Sequence, residues 1–485
     1  MSPSAIALSV IFGIVVIASA TGFYAGARHK MDLEEWTVAG RGFGTLFVWL
    51  LMAGEIYTTF SFLGASGWAY SQGGPTLYIL AYLTLAYVVS FYILPPIWEI
   101  GRKHALQTQA DFFQCCFGSK YLAGFVALVG IVFLIPYLQL QLTGLGIIVE
   151  VASFEGIGRT PAMLVSFVLV AAFVFVSGVR AVAWVSVLKD FLLLLAVAIV
   201  GFAIPHIYFG GIGPMFAALA HAKPAYLTMP GPSANHGHAW FISTVLLSTF
   251  GFYMWPQSIG SSFSAKSGDT LRRNAVIMPL YGITLPLVFL VGYATILVVP
   301  GLKNGDLSLL TIVRKSFPAW FLGLIGGAGA LTAMVPAAIQ ILTAATLFAK
   351  NLYRPVFAPN MSERQVGRLA RAMVLVITAI ALYFAIHSST ALVTLLLLGY
   401  AGITQLFPGV VLGLFSRRTT TAGVFCGLAV GVATVALLML TKRDPVWGLN
   451  AGFVALCLNF LVAGVVSVVA PRPADRFAEP VPNAG

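Results

Sequence analysis

Residues 53–64 read AGEIYTTFSFLG. A glutamate, Glu55, stands inside a run that is otherwise apolar or weakly polar for a full membrane thickness. The rest of the chain explains why that is unusual. Of its 485 residues 59% are hydrophobic and 9% charged, where a soluble domain carries about 25% charged residues. Apolar stretches recur from the first residues to about residue 470, each near the roughly 20 residues that cross a bilayer as a helix. The chain reads as an all-α, multi-pass membrane protein. No polar stretch is long enough to fold as a separate soluble domain.

Expected spans fall at about 5–27, 44–71, 75–98, 121–150, 161–178, 184–208, 239–262, 275–299, 318–349, 370–388, 392–415, 420–441 and 448–470, about thirteen helices. The first has no Lys or Arg before it, and Arg28 and Lys30 after it. That is the reverse of a cleaved signal peptide, so it is expected to be a retained span with its N-terminus outside and the C-terminus cytoplasmic. Charge tests this orientation independently. The outer loops then hold Arg159, Lys223, Lys303, Arg314, Lys315, Lys442 and Arg443, seven of the 27 Lys and Arg. The cluster Lys350, Arg354, Arg364, Arg368 and Arg371 falls inside, which is the positive-inside pattern. The net charge of +12 is accounted for in this way, and no nucleic-acid partner is expected.

The segment 108–121, TQADFFQCCFGSKY, reads as an amphipathic helix lying on the cytoplasmic surface. The 30-residue stretch after Phe209 is the longest outer loop and contains HGH at 236–238; its ordinary reading is a solvated loop rather than a metal site. The tail from 471, rich in Pro, reads as disordered. Cys115, Cys116, Cys426 and Cys457 make neither a disulfide framework nor a zinc site.

Without the first span and the last two, ten helices remain, in two groups of five. Five is odd, so the second group must run through the membrane inverted relative to the first. Each group opens on an interrupted span. The first, 44–71, is broken near Ala53-Gly54-Glu55 and weakened again by Gly64 and Gly67. The second, 239–262, contains Ser248-Thr249-Phe250-Gly251 and then Trp255-Pro256-Gln257-Ser258. Gly and Pro are common in membrane helices, so either break alone says little. Breaks at corresponding places in two halves point to a transporter's midplane site. Unwound backbone frees carbonyls for a cation and N–H groups for an anion, and is tolerated in lipid only where protein buries it or it lines a cavity. The expected organisation is an extra helix and loop at 1–43, a first repeat at 44–208, an outer loop and second repeat at 209–415, two further helices at 416–470, and a tail at 471–485.

Four stretches carry a resemblance: AGRGFGTLFVWLLMAGEIYTTFSFLGASGWAYSQG (39–73), SGVRAVAWVSVLKD (177–190), MWPQSIGSSFSAKSGDTLRRNA (254–275) and GLFSRRTTTAGVFCG (413–427). The chain resembles the sodium/solute symporter family over nearly its whole length. The resemblance implies a LeuT-type five-plus-five inverted-repeat bundle and uptake of a small organic solute driven by a cation gradient. The Gly-Glu-Ile-Tyr-Thr-Thr form of the broken helix is most similar to the bacterial monocarboxylate permease branch, which implies short acids such as lactate or pyruvate and a bacterial inner membrane. In sodium-coupled members the ninth helix supplies a Ser/Thr pair to sodium. Counted from Asn351-Leu352-Tyr353-Arg354, that pair falls on Val335 and Pro336, which offer no side-chain oxygen. The family's Trp-Thr-Asp in the loop between repeat helices is Trp184-Val185-Ser186 in this chain.

An ionisable group within a span is expensive and marks function by default. Three roles stay open for Glu55: carrier of the coupling proton, acceptor for the freed N–H groups of a half-helix, or ligand for sodium. Ala53, Ile56 and Thr332 join it as expected cation-coupling residues, with Na+ or H+ as the ion and no other cofactor. A small carboxylate needs a few polar groups in a largely apolar pocket. The candidates are Tyr57, Thr58 and Thr59 on the first broken helix, Gln141 on the fourth span, Tyr253, Trp255 and Gln257 on the seventh, Gln340 on the ninth and Gln405 on the eleventh. Each buried amide can equally bridge helices.

An enzyme is not expected: the seven His residues lie in loops or near span ends, and no HExxH occurs. A channel would favour a repeated pore helix or a ring of like residues, and neither is present. A carrier of the same fold for an amino acid or vitamin remains the alternative.

Overall fold

The computed structural model describes residues 1–26, 38–176 and 179–470. The loop expected after the first span falls partly at 27–37, and the tail expected to be disordered at 471–485; both lie outside the described residues. Elsewhere the chain is helical. The β pairing among the described residues is two isolated bridges, Phe43 with Ala265 and Val446 with Leu449.

The first half runs α1 (Pro3–Gly26), α2 (Thr45–Ile56), a π-turn (Phe60–Gly64), α3 (Ala65–Gln72), α4 (Tyr78–Lys103), α5 (Gln109–Phe117), α6 (Lys120–Ala152), α7 (Arg159–Val176) and α8 (Val179–Phe209). After α9 (Ile212–Ala222) come α10 (His238–Gly251), α11 (Pro256–Phe263), α12 (Gly268–Ile277), α13 (Thr284–Val298) and α14 (Ser308–Ser316). The remainder is α15 (Ala319–Thr346), α16 (Glu363–His387), α17 (Leu392–Ile403), α18 (Phe407–Phe415), α19 (Thr421–Leu440) and α20 (Ala451–Val469). Among the described residues ten helices are long and apolar enough to cross a membrane, eleven if the bent pair at 45–72 counts as one. Of the thirteen expected spans the other two are α7, a shorter apolar helix, and the pair α10 and α11, neither half of which is long enough to cross alone.

Both expected spans are broken, but later than the sequence suggests: Ala53-Gly54-Glu55 are still within α2 and Ser248–Gly251 within α10. The helix α2 stops at Tyr57, which is extended (φ −90°, ψ 92°), and the chain turns by 60°. Thr58 stabilises the restart, its hydroxyl accepting from the Phe60 N–H at 3.1 Å, the kind of local bond by which Thr competes with a continuous helix. The second break ends at Trp255, also extended (φ −60°, ψ 130°). Pro256 then opens α11, at the one place where a missing N–H is harmless.

The two halves grip one another reciprocally. Phe43, just before α2, pairs its backbone with Ser264 and Lys266 at the end of α11 (3.0 and 2.9 Å). His236, just before α10, meets Gln72 at the end of α3 through Nδ1 and Oε1 at 3.0 Å. The helix after each broken span packs on the far half of the other. Gly101 of α4 lies against Phe263 of α11, and Gly292 of α13 against Ser66 and Ala69 of α3.

The segment at 108–121 differs from its reading as a surface helix. Thr108 and Asp111 form a capping box at the start of α5, but Phe112, Phe113 and Cys116 are buried. Part of its polar face also meets protein, while Gln114 is exposed. Asp111 pairs with Lys350 at 2.8 Å and accepts from Asn351 at 2.9 Å, while Gln109 donates to the Met254 carbonyl at 2.8 Å. The helix is thus tied to the protein on more than its apolar face. The stretch after Phe209 is likewise built: it contains α9, and His236 lies between Trp68 and Trp240 with its ring steeply inclined to both (centroids at 5.4 and 4.4 Å).

Candidate functional site: two broken helices and a buried lysine

The ending of α2 frees carbonyls of its last turn, although that of Ala53 still accepts from the Tyr57 N–H at 2.9 Å, and this end carries the negative end of the helix dipole. A cation is seated on these carbonyls. Lys189, from α8, is fully buried, and its ammonium donates to the carbonyls of Tyr57 at 3.1 Å, Gly54 at 3.3 Å and Ala53 at 3.5 Å. Asp190 completes the set, its Oδ1 2.9 Å from Nζ. An ammonium has three donors and no acceptor, so four oxygens satisfy it. Asp190 Oδ1 also accepts from the Tyr281 hydroxyl at 3.0 Å, and the Tyr281 ring lies against that of Tyr57, centroids 4.0 Å apart.

Gly54 lets this happen. A β-carbon there would stand 2.5 Å from Ser186 Oγ and 3.3 Å from Val335 Cγ1, so α8 and α15 both press on the break at one point. Ser186 and Lys189 are three apart and share a face of α8; the close contact at Ser186 brings Lys189 over the carbonyls. Val335 is therefore at the break, as the count from Asn351 expects, and brings only methyl groups. Pro336, beside it, is buried within α15.

Glu55 points the other way. Its Oε1 accepts from Ser261 and its Oε2 from Ser258 at 3.4 Å, both on α11, and its own carbonyl accepts from the Tyr137 hydroxyl at 3.3 Å. The two serines are the third and sixth residues of α11, so the carboxyl lies along the side of that helix. The two broken spans are thus joined side chain to helix, with the acid along α11 and the lysine at the end of α2.

Among the other expected coupling residues, Ala53 reaches the lysine through its carbonyl. The Ile56 carbonyl accepts from Ser61 at 3.3 Å. Thr332 is buried and bonds back to Gly329 of its own helix at 2.7 Å. Of the expected substrate residues, Thr59 donates to Gln141 Oε1 at 2.8 Å, and a β-carbon on Gly144 would stand 2.6 Å from the Thr59 side chain. Trp255 lies against Tyr137 and Tyr400, centroids at 4.7 and 5.4 Å, and Tyr253 against Phe252 at 4.9 Å. Gln257 and Ser261 line a narrow crevice with Thr108, Leu342 and Thr346. Gln141 Nε2, Gln257 Oε1 and both amide atoms of Gln340 are buried without a hydrogen-bond partner among the described residues. Gln405 instead donates to Ala401 and Gly452 (2.9 and 3.2 Å) and accepts from Asn459 at 3.2 Å.

Lys189 and Asp190 are the residues that reading the sequence missed. Both fall inside the expected span 184–208, and an adjacent charged pair within a span is the same signal that singled out Glu55. Treating 177–190 as a loop signature hid it.

A third buried carboxyl, after Glu55 and Asp190, lies outside the spans. Asp306 holds the Leu392 N–H, at the start of α17, at 3.0 Å, and its backbone abuts Gly67 of α3. Burial raises its carboxyl to about 7, against the opposing pull of the Leu392 N–H and the Arg159 charge.

Residues 36–431 match the sodium:solute symporter family. The "Uncharacterized symporter YhjB" of Bacillus subtilis (strain 168) is 45% identical, covering 98% of this chain and 99% of that protein. A "Monocarboxylate transport permease protein" of Rhizobium johnstonii is 27% identical, covering 96% and 98%. Among solved structures, a Na+-coupled sialic acid symporter in a substrate-bound outward-open state superposes with a TM-score of 0.80 at 18% identity, covering 96% and 98%.

Proposed function

The chain belongs to the sodium:solute symporter family, and on that premise we infer that it carries a short monocarboxylate, such as lactate or pyruvate, into a bacterial cell together with a cation, by alternating access. Family and fold are those of transporters, not of enzymes. The observation that carries the reading is the meeting of the two breaks, with Glu55 of the first bonded to Ser258 and Ser261 of the second. A site made of two half-helix ends moves whenever one bundle rocks against the other.

The division into 44–208 and 209–415 as inverted repeats is supported by the reciprocal grips of Phe43 on α11 and His236 on α3. The charge asymmetry of the loops supports an outside N-terminus and a cytoplasmic C-terminus. The substrate carboxylate is read as held by backbone N–H groups and by Thr59, Gln141, Gln257 and Gln340, with Tyr57, Tyr253 and Trp255 as apolar walls. The unpartnered amides favour this, since a buried amide otherwise loses its hydrogen bonds. Glu55 is read as the clamp between the two broken helices, and Gln405 as a helix bridge. The monocarboxylate choice draws on the form of the broken helix and on the Rhizobium johnstonii permease; an amino acid or vitamin is the alternative.

The test is uptake of labelled lactate, pyruvate and proline into proteoliposomes, with sodium and pH gradients imposed separately. Lactate and pyruvate uptake is expected, with acceleration when unlabelled acid is preloaded. Uptake of proline alone would reject the substrate class, and the absence of trans-stimulation would favour a pore.

A further inference from the structure

The cradle at the end of α2 has the chemistry of an alkali-cation site, several backbone carbonyls converging where a helix dipole is negative. Sodium prefers oxygen ligands, and a family named for sodium leads one to expect the ion in such a place. The residues of this chain do not fit it. The two positions of α15 expected to add hydroxyls are Val335 and Pro336, and Val335 faces Gly54 with methyl groups. The carbonyls of Ala53, Gly54 and Tyr57 are all within 3.5 Å of Lys189 Nζ. An ammonium and a sodium ion cannot share them: two unit charges about 4 Å apart repel by about 4 kcal/mol even at an effective dielectric constant of about 20.

We propose that Lys189 is the resident cation of this cradle, closing it to sodium, and that loss and regain of a proton at Nζ replaces release and capture of a sodium ion in the transport cycle. With the proton present, Nζ ties α8 to the broken end of α2. When the cradle opens to water, Nζ gives up one proton to that water, the neutral amine keeps at most two donors, and the tie between α8 and α2 weakens. Reprotonation on the other side restores it. The groups facing Nζ are those such a cycle needs. Asp190 on the same helix is the counter-ion, and Tyr281, just before α13, holds Asp190. On α2, Glu55 acts on Nζ through space and Tyr57 through its carbonyl. The described part of α1 and the whole of α15 bring no charged side chain.

This deepens the symport reading and rests on it, but part of its test needs no substrate. Binding of 22Na+ is measured on the purified full-length protein, alongside lactate uptake in proteoliposomes. The wild type is expected to show no saturable 22Na+ binding and to take up lactate down an inward proton gradient irrespective of sodium. Lys189→Ala combined with Val335→Ser empties the cradle and supplies a hydroxyl; it is expected to gain saturable 22Na+ binding and to lose the proton dependence. Lys189→Gln, which keeps an amide donor for the carbonyls, serves if the double variant does not fold, and is expected to lose proton-driven uptake while remaining monodisperse. Saturable 22Na+ binding to the wild type, or wild-type proton dependence in either variant, overturns the proposal. No uptake of any acid by the wild type, with 22Na+ binding gained by the double variant, rejects the substrate and leaves the cradle assignment standing.

Discussion

Gly292 on α13 and Ser66 on α3 are in such close contact that a β-carbon on Gly292 would stand 2.3 Å from the Ser66 carbonyl oxygen. The other half has its counterpart, where a β-carbon on Gly101 of α4 would stand 2.2 Å from the Phe263 ring of α11. The helix that follows each broken span is therefore seated on the other broken span, and the two contacts differ in what blocks them. Gly292→Ala meets backbone, which cannot step aside. Gly101→Ala meets a ring, which can. Both are expected to lower stability by about 1–3 kcal/mol, Gly292→Ala by more. Phe263→Leu should relieve part of the Gly101→Ala defect and none of the Gly292→Ala defect. Thermal unfolding of the singles and doubles in detergent reads the coupling.

Glu55 is expected to act as a clamp. Ser258→Ala with Ser261→Ala leaves its buried carboxyl without donors, which should cost about 1–3 kcal/mol of stability and slow lactate uptake. Glu55→Gln keeps an acceptor for one serine. It should transport slowly while retaining the wild-type response to a proton gradient, because the titrating group is Lys189. Loss of that response in Glu55→Gln, with sodium binding unchanged, would return the proton to Glu55.

Asp306 makes stability depend on pH in a defined sense. Its folded carboxyl titrates at about 7, raised from 3.8. Between these values the folded protein holds a proton that the unfolded chain has released. Its stabilising effect is complete below about 4 and is lost as pH rises through about 7, with a slope of at most about 1.4 kcal/mol per pH unit. Asp306→Asn is expected to flatten that part of the profile and to be the more stable form at pH 8. Melting temperatures of the two proteins between pH 4 and 8 check it.

Gln405 separates a helix bridge from a binding residue. It ties α17 to α20 through Gly452 and Asn459, so Gln405→Ala should cost about 1–3 kcal/mol by leaving partners unpaired. KM for lactate should not move. A raised KM at unchanged stability would place Gln405 in the substrate site.

Much of this architecture is legible in the chain as written. Hydropathy locates the spans, because lipid demands about 20 apolar residues wherever they occur. The broken spans are legible because Gly54 and Pro256 stand within a turn of where the helix stops or restarts, and Glu55 because a carboxyl in a span is conspicuous in any fold. What the tertiary structure alone decides is what meets what. Lys189 and the Tyr57 carbonyl are 132 residues apart in the chain, and no periodicity says which face of α8 turns toward α2. That is set by Gly54, which admits Ser186 and so fixes the rotation that carries Lys189 onto the break. The partners of α5 were hidden for the same reason, since an amphipathic pattern records two unlike surroundings without saying which groups of the protein meet either face. Local chemistry is written along the sequence; the partner of each exposed carbonyl is chosen by packing between helices distant in it.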